Sequence, residues 1–299
     1  MFSTNDGRSI TVLATGPQAL VQDLGRTGVA SLGVPPSGAL DGPALRLANR
    51  LVGNPESAAG VETLFGGLSV RAESSCTVAI TGPAVPVTVD GRSAGSHTPL
   101  HLAQGVVLTL GVPTGGLRNY LAVGGGLAVR PELGSRSTDV LSGIGPPPLR
   151  AGDTLPLGCR AGLPARVDEL GPTPTPGFLT VPVLLGPRDD WFSTPARQLA
   201  EGSWRASPES NRVGLRLTGP ALRRVSAFAR AELPSEPVVT GAVQVPANGR
   251  PLVFLADHPT TGGYPVIGVV SPRVLPMLGQ ARPGTLIRFR PVNGRTSGL

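Results

Sequence analysis

Glycine and proline interrupt this chain too often for long helices to form. The 42 glycines and 33 prolines are spread over 299 residues and sit between short apolar runs. Proline removes a backbone donor and fixes φ, while glycine adds backbone freedom, so both end regular elements rather than extend them. Short apolar runs bounded in this way read as the strands and turns of an all-β protein with a few short helices. Hydrophobic residues make up 40% of the chain and charged residues 15%, enough apolar material for a sizeable core. The length fits one large or two medium domains.

The charge pattern excludes several functions. All 26 basic residues are arginine, and the chain has no lysine. A Schiff base, a lysine general base and a P-loop lysine are therefore impossible, and a bound phosphate must be held by arginine and backbone N–H groups. The net charge of +7 comes from dispersed arginines, with Arg223-Arg224 the one adjacent pair and aromatics at 4%. Without a basic stripe interleaved with aromatics, no nucleic-acid partner is expected. Cys76 and Cys159 match no metal spacing and read as reduced, buried thiols. His97 and His101 are four apart, but Pro99 between them argues against a metal-binding helix, so no metal is assigned. There is no apolar leader and no apolar run near ~18 residues, so a soluble cytoplasmic protein with no membrane partner is expected.

Strands are expected at 10–14, 68–72, 76–81, 85–89, 106–110, 214–218 and 286–290, with Asp90-Gly91 as a tight turn. A helix should follow Asp41, which can cap it, with Pro43 in its first turn and Gly53 at its end. Asn49 and Arg50 fall on its solvated face. Shorter helices are expected at 190–200 and 271–280. The Pro-rich stretch 171–177 reads as a linker between domains 1–170 and 171–299. Landmarks recur across it in order: T-G-P-A at Thr81 and Thr218, V-P-x-x-G at Val112 and Val245, and R-A-G-D-T-L at Arg150 echoed by R-P-G-T-L at Arg282. The near-constant separation of 132 to 137 residues points to two copies of one β unit.

The stretch richest in chemistry runs from Gln244 to Tyr264. Asn248-Gly249 signals a hairpin turn, 251–256 an apolar strand, and the strand ends in Asp257-His258-Pro259-Thr260-Thr261-Gly262-Gly263-Tyr264. Glycines allow close backbone approach, and their N–H groups can cradle an anion. The same residues could instead form a polar turn in which Asp257 accepts from the Thr260 or Thr261 N–H. Under the repeat, 118–126, which holds Arg118, Tyr120, Gly124 and Gly125, is the counterpart of 251–263. Gly134-Ser135-Arg136-Ser137-Thr138-Asp139 gathers small hydroxyls around one arginine, which suits a carboxylate or another anion, or else a capped turn. Arg136 and Arg212 could pair with a substrate anion, or internally with Asp139 and Glu209.

Laid out in order, these segments resemble the KipA-like, or allophanate hydrolase subunit 2, carboxyltransferase-domain family. The resemblance rests on V-Q-D-L-G-R at 21–26, P-x-S-G-A-L-D at 35–41, A-N-R-L-V-G-N at 48–54, R-N-Y-L-A-V-G-G-G at 118–126 and G-S-R-S-T-D at 134–139. It continues in S-N-R-V-G at 210–214, G-A-V-Q-V-P at 241–246 and A-D-H-P-T-T-G-G-Y at 256–264. The chain departs from the family pattern at Leu40, and at His258-Pro259 on the rim of the expected site. The resemblance implies two tandem cyclophilin-like β-barrel domains and a KipI-like partner chain. It also implies work with a separate lactam-opening protein in an ATP-dependent opening of 5-oxo-L-proline to L-glutamate, as the C component of a bacterial 5-oxoprolinase. Two other readings stay open: the carboxyltransferase component of a biotin-dependent urea or amide carboxylase, and a non-catalytic regulator of a KipI-like kinase inhibitor. With no lysine, the chain itself carries no covalent biotin.

ATP-dependent lactam opening needs donors for phosphate and carboxylate and a positioned base. The candidates are Asp257 as base or Mg²⁺ ligand, Arg136 and Arg212 as anion partners, and Tyr264 and Tyr120 as phenol donors. Arg118, Gly124, Gly125, Ser135, Ser137, Thr138, Gln244, Thr260, Thr261, Gly262 and Gly263 are the substrate- or nucleotide-binding candidates for ATP with Mg²⁺ and a small amide or lactam. No Walker loop or kinase signature accompanies them, and the isolated chain is expected to be inactive.

Overall fold

A computed structural model describes residues 7–160, 162–165, 171–172 and 174–292. The first six residues and residue 173 of the expected linker lie outside them. The chain divides into two compact units, the first to Arg26 and from Ser37 to Thr175, the second Thr27–Pro36 and from Pro176 onward.

In the first unit the strands are β1 (Ser9–Thr15), β2 (Gln18–Gln22), β3 (Gly60–Leu64), β4 (Leu68–Ala72), β5 (Cys76–Thr81), β6 (Val87–Val89) and β7 (Arg92–Ala94). They continue as β8 (Leu100–Leu102), β9 (Val107–Leu110), β10 (Arg118–Val123) and β11 (Thr154–Pro156), with helix α1 at Gly42–Leu51. One sheet runs β11-β1-β4-β9-β6-β7 and the other β2-β3-β10-β5-β8. Ile10, Val12, Leu68, Val70 and Leu108 of the first sheet share one apolar cluster with Val21, Val61, Val78, Ile80, Leu121 and Val123 of the second. The far side of the second sheet carries α1, where Ala48, Leu51 and Val52 pack on Ala79 and Ala122. The second sheet is thus covered on both faces, which is why β5 and β10 are buried at every residue. Each fully buried Val or Leu there contributes about 1.5–3 kcal/mol.

Helix α1 starts as its sequence dictates: the Asp41 carboxylate accepts from the Ala44 N–H at 3.1 Å, and Pro43 occupies the first turn. Asn49 does not lie on a solvated face. It is fully buried, and its amide donates to the carbonyls of Glu56 and Ala58. Cys76 is buried as expected, but Cys159 is exposed. Asp90 and Gly91, both with positive φ, form a two-residue hairpin turn between Val89 and Arg92.

The second unit contains β12 (Phe178–Leu185), β13 (Trp204–Ala206), β14 (Gly214–Thr218), β15 (Glu236–Pro237), β16 (Ala242–Gln244), β17 (Leu252–Phe254), β18 (Thr261–Gly262), β19 (Val266–Val270) and β20 (Leu286–Val292). Seven of them close a barrel in the order β12-β19-β16-β17-β14-β13-β20. The helix expected over 190–200 is a 3-10 turn, Asp189–Trp191, followed by α2 (Pro195–Glu201); α3 (Leu275–Gly279) follows a second such turn, Pro272–Val274. Asn248-Gly249 lies in a wider loop, because β16 and β17 pair at Gln244 and Leu252.

The repeated landmarks fall at matching strand ends, with T-G-P-A leaving both β5 and β14. The antiparallel pair β10–β5 has its counterpart in β17–β14. The two units diverge at their first strands: β1 pairs β11 antiparallel, whereas β12 pairs β20 in parallel. The fold is mainly β, as the sequence indicates. Among the described residues no helix is long and apolar enough to cross a membrane.

Candidate functional site

The candidate residues fall into two clusters, one in each unit. In the first unit, Tyr120 on β10 lies opposite Glu62 on β3 in the strand register. Tyr120 donates its phenol proton to Glu62 Oε2 at 2.8 Å and accepts from the Asp41 N–H at 2.7 Å. The same carboxylate oxygen accepts from the Leu40 N–H at 3.0 Å, and Arg118 Nε stands 3.5 Å from the other oxygen. Burial first, then the neighbouring Glu62 and Asp41 carboxylates, hold the Tyr120 phenol well above the usual tyrosine range. Tyr120 is therefore a buried brace between sheet and helix start, not an accessible phenol donor.

The expected anion cradle at 134–139 does hold a carboxylate, and it belongs to the chain. Ser135 and Ser137 both donate to Asp23 Oδ1 at 2.6 Å, and the Arg136 N–H donates to Asp23 Oδ2 at 2.6 Å. The Gly25 N–H adds a fourth donor at 2.8 Å. The Thr138 hydroxyl donates to the Pro146 carbonyl at 2.8 Å. The Arg136 guanidinium is half-buried and donates from Nε to the Val129 carbonyl, not to Asp139. Gly124 and Gly125 commit their N–H groups to Thr77 O and Asn54 Oδ1, both at 2.7 Å. These glycines serve close packing: a Cβ on Gly125 would lie 2.1 Å from the Gly158 carbonyl oxygen.

In the second unit, Arg212 and Asp257 form a bidentate pair, with Nε to Oδ2 at 2.9 Å and Nη2 to Oδ1 at 3.0 Å. Their side chains are 1% and 0% exposed. The Asp257 carboxylate, expected as base or Mg²⁺ ligand, is buried against Arg212, and Arg212 meets Asp257 in place of the expected Glu209. The pair anchors the turn that follows. His258 is held between the Pro259 carbonyl at Nδ1 and the Thr240 hydroxyl at Nε2, at 2.6 and 3.0 Å. Gln244 is buried and donates to the Tyr264 carbonyl at 3.2 Å. Beyond this anchored base, Thr260 and Gly262 are half-buried, and Thr261, Gly263 and Tyr264 are exposed. Among the residues named from the sequence, Arg136 is thus half-buried in the first unit, and Thr261, Gly263 and Tyr264 face solvent in the second.

Reasoning from sequence passed over Asp23, Arg26, Asn54 and Glu62. The first three stand inside motifs already singled out. Glu62 carries its own signal, a carboxylate in the otherwise uncharged strand G-V-E-T-L. Among the described residues no group of three or more His, Cys, Asp or Glu is placed to hold a metal ion.

Comparison with known proteins bears on what such an arrangement does. The carboxyltransferase domain model, subdomains A and B, matches residues 32–291. The C component of the Escherichia coli 5-oxoprolinase is 37% identical over 287 residues, covering 94% of this chain and 90% of that protein. The solved structure of TTHA0988 matches with a TM-score of 0.84 at 39% identity; it covers 94% of this chain, and this chain spans 56% of it. The Kluyveromyces lactis urea amidolyase structure matches with a TM-score of 0.87 at 29% identity, over 95% of this chain and 19% of that one.

Proposed function

The chain belongs to the carboxyltransferase-domain family, subdomains A and B, and from that premise we propose that it is the C component of an ATP-dependent 5-oxoprolinase. In this reading it acts with a KipI-like partner chain and a lactam-opening protein in the cytoplasm. Together they open the ring amide of 5-oxo-L-proline with water to give L-glutamate, while ATP is hydrolysed. The observation that carries the reading is the near full-length match to the E. coli protein, 90% of it at 37% identity. The likeness to urea amidolyase covers a fifth or less of a much longer chain and fits carboxyl transfer less well.

The geometry supports a division of labour. Asp257, Arg212, Tyr120, Arg118, Ser135, Ser137, Thr138, Gln244, Gly124 and Gly125 hold loops in place; Arg136 in the first unit and, separately, Thr260–Tyr264 in the second are the candidates for contact with substrate or partner. Asp257, Gly124 and Gly125 do not fit ATP with Mg²⁺, since both Asp257 oxygens are turned onto Arg212 and the Gly124 and Gly125 N–H groups are engaged. The nucleotide is accordingly assigned to the assembled enzyme. The chain purified alone is expected to show no turnover of 5-oxo-L-proline. Substrate-dependent glutamate release by the single chain contradicts this assignment. Transfer from carboxybiotin to urea by a reconstituted assembly, without lactam opening, replaces it with the carboxyltransferase reading.

A further inference from the structure

Arg26 closes the V-Q-D-L-G-R stretch and is 2% exposed. Its Nη2 donates to the Ser137 carbonyl. Its Nε and Nη1 are buried and meet no hydrogen-bond partner. Among the described residues it makes no salt bridge, and the nearby Asp23 carboxylate is already taken by Ser135, Ser137, the Arg136 N–H and the Gly25 N–H. A guanidinium removed from water and left unpaired is strongly unfavourable, and an oxyanion is the partner its fork fits. A second unsatisfied group is anchored on the next peptide. Gln22, 0% exposed, donates to the Thr138 carbonyl at 2.8 Å and leaves its buried Oε1 without a donor. Gly145 packs directly on the same peptide: a Cβ there would stand 2.1 Å from the Ser137 carbonyl oxygen that accepts from Arg26, and 3.3 Å from Arg26 Nη2.

We propose that Arg26 and Gln22 form a binding site for a small carboxylate that carries an N–H donor beside it. The carboxylate meets an open N–H edge of the Arg26 guanidinium, and the N–H meets Gln22 Oε1. Phosphate satisfies the first requirement and offers no N–H for the second. 5-oxo-L-proline bears both groups on one carbon, and its choice as ligand rests on the oxoprolinase reading above.

The test is thermal unfolding and calorimetric titration of the full chain with 5-oxo-L-proline, N-acetylglycine, 2-pyrrolidinone and inorganic phosphate. The wild type is expected to gain stability with the first, and 2-pyrrolidinone, which lacks the carboxylate, to have no effect. Arg26→Met should unfold at no lower temperature than wild type without ligand, since it removes an unpaired buried charge. It should lose affinity by about tenfold or more. Arg26→Lys keeps the charge without the fork and should also bind more weakly. It serves as the second variant if the Met form fails to fold. Stabilisation by N-acetylglycine but not by 5-oxo-L-proline, lost in the variants, keeps the site and sinks the oxoprolinase reading. Undiminished binding by either variant overturns the proposal. So does wild type insensitive to every carboxylate, or phosphate binding as tightly as 5-oxo-L-proline.

Discussion

Replacing Asp257 with alanine should destabilise the second unit, and the structure sets the scale. Asp257 and Arg212 meet through two hydrogen bonds of 2.9 and 3.0 Å with side chains 0% and 1% exposed. Asp257→Ala removes the anion that faces a buried guanidinium, and breaking a buried pair by removing one partner costs about 3–5 kcal/mol. At a denaturant slope of about 2 kcal/mol/M, the urea midpoint falls by about 2 M. The chain's two tryptophans, Trp191 and Trp204, both lie in the second unit, so their fluorescence reports this transition selectively. The paired replacement Arg212→Met with Asp257→Leu should recover most of the loss, because apolar groups of similar volume carry no desolvation penalty. A midpoint drop under about 0.5 M for Asp257→Ala would refute the reasoning. So would a double variant as unstable as the two singles combined. Loss of enzymatic activity in Asp257→Ala is accordingly read beside this curve, since a misplaced rim and a missing base give the same assay result.

Tyr120 ionises far less readily in the folded chain than in the unfolded one, so the stability it confers is complete below about pH 10 and is lost as pH rises above that. With no lysine in the chain, the buried Cys76 thiol, which burial also pushes up, shares this alkaline limb. Tyr120→Phe should flatten this alkaline limb in circular-dichroism melts while lowering stability near neutrality by about 1–3 kcal/mol; an unchanged limb contradicts the buried phenol. Gly125→Ala places a Cβ 2.1 Å from the Gly158 carbonyl at a residue with φ of +102°. It should lower the melting temperature or abolish soluble expression, and a fully stable variant with weakened ligand binding argues instead for a contact role.

What was legible in the sequence was local. The strands Leu68–Ala72, Cys76–Thr81 and Gly214–Thr218 and the helix behind Asp41 follow from alternation, capping and punctuation within a few residues. The site was legible as motifs but not as pairings. Asp257 meets Arg212 across 45 residues, and Asp23 meets Ser135 across 112. Neither partner is marked by spacing, so Asp257 looked like a base and the Ser-Arg-Ser cluster like a cradle for a foreign anion. Asn49 looked solvated because a helix periodicity cannot show that the Glu56–Ala58 backbone folds over its polar face. Ser9–Thr15 and Phe178–Leu185, the first strands of the two units, pair Thr154–Pro156 and Leu286–Val292 in opposite senses, a choice made by tertiary closure.

The central claim is tested most directly by combining this chain with its own KipI-like and lactam-opening partners and following 5-oxo-L-proline, ATP and glutamate together. The account predicts that glutamate appears in step with ADP, that omitting this chain abolishes it, and that Arg136→Ala impairs it while the chain stays folded. Absence of glutamate release with all three proteins folded and associated, or full release without this chain, would contradict it.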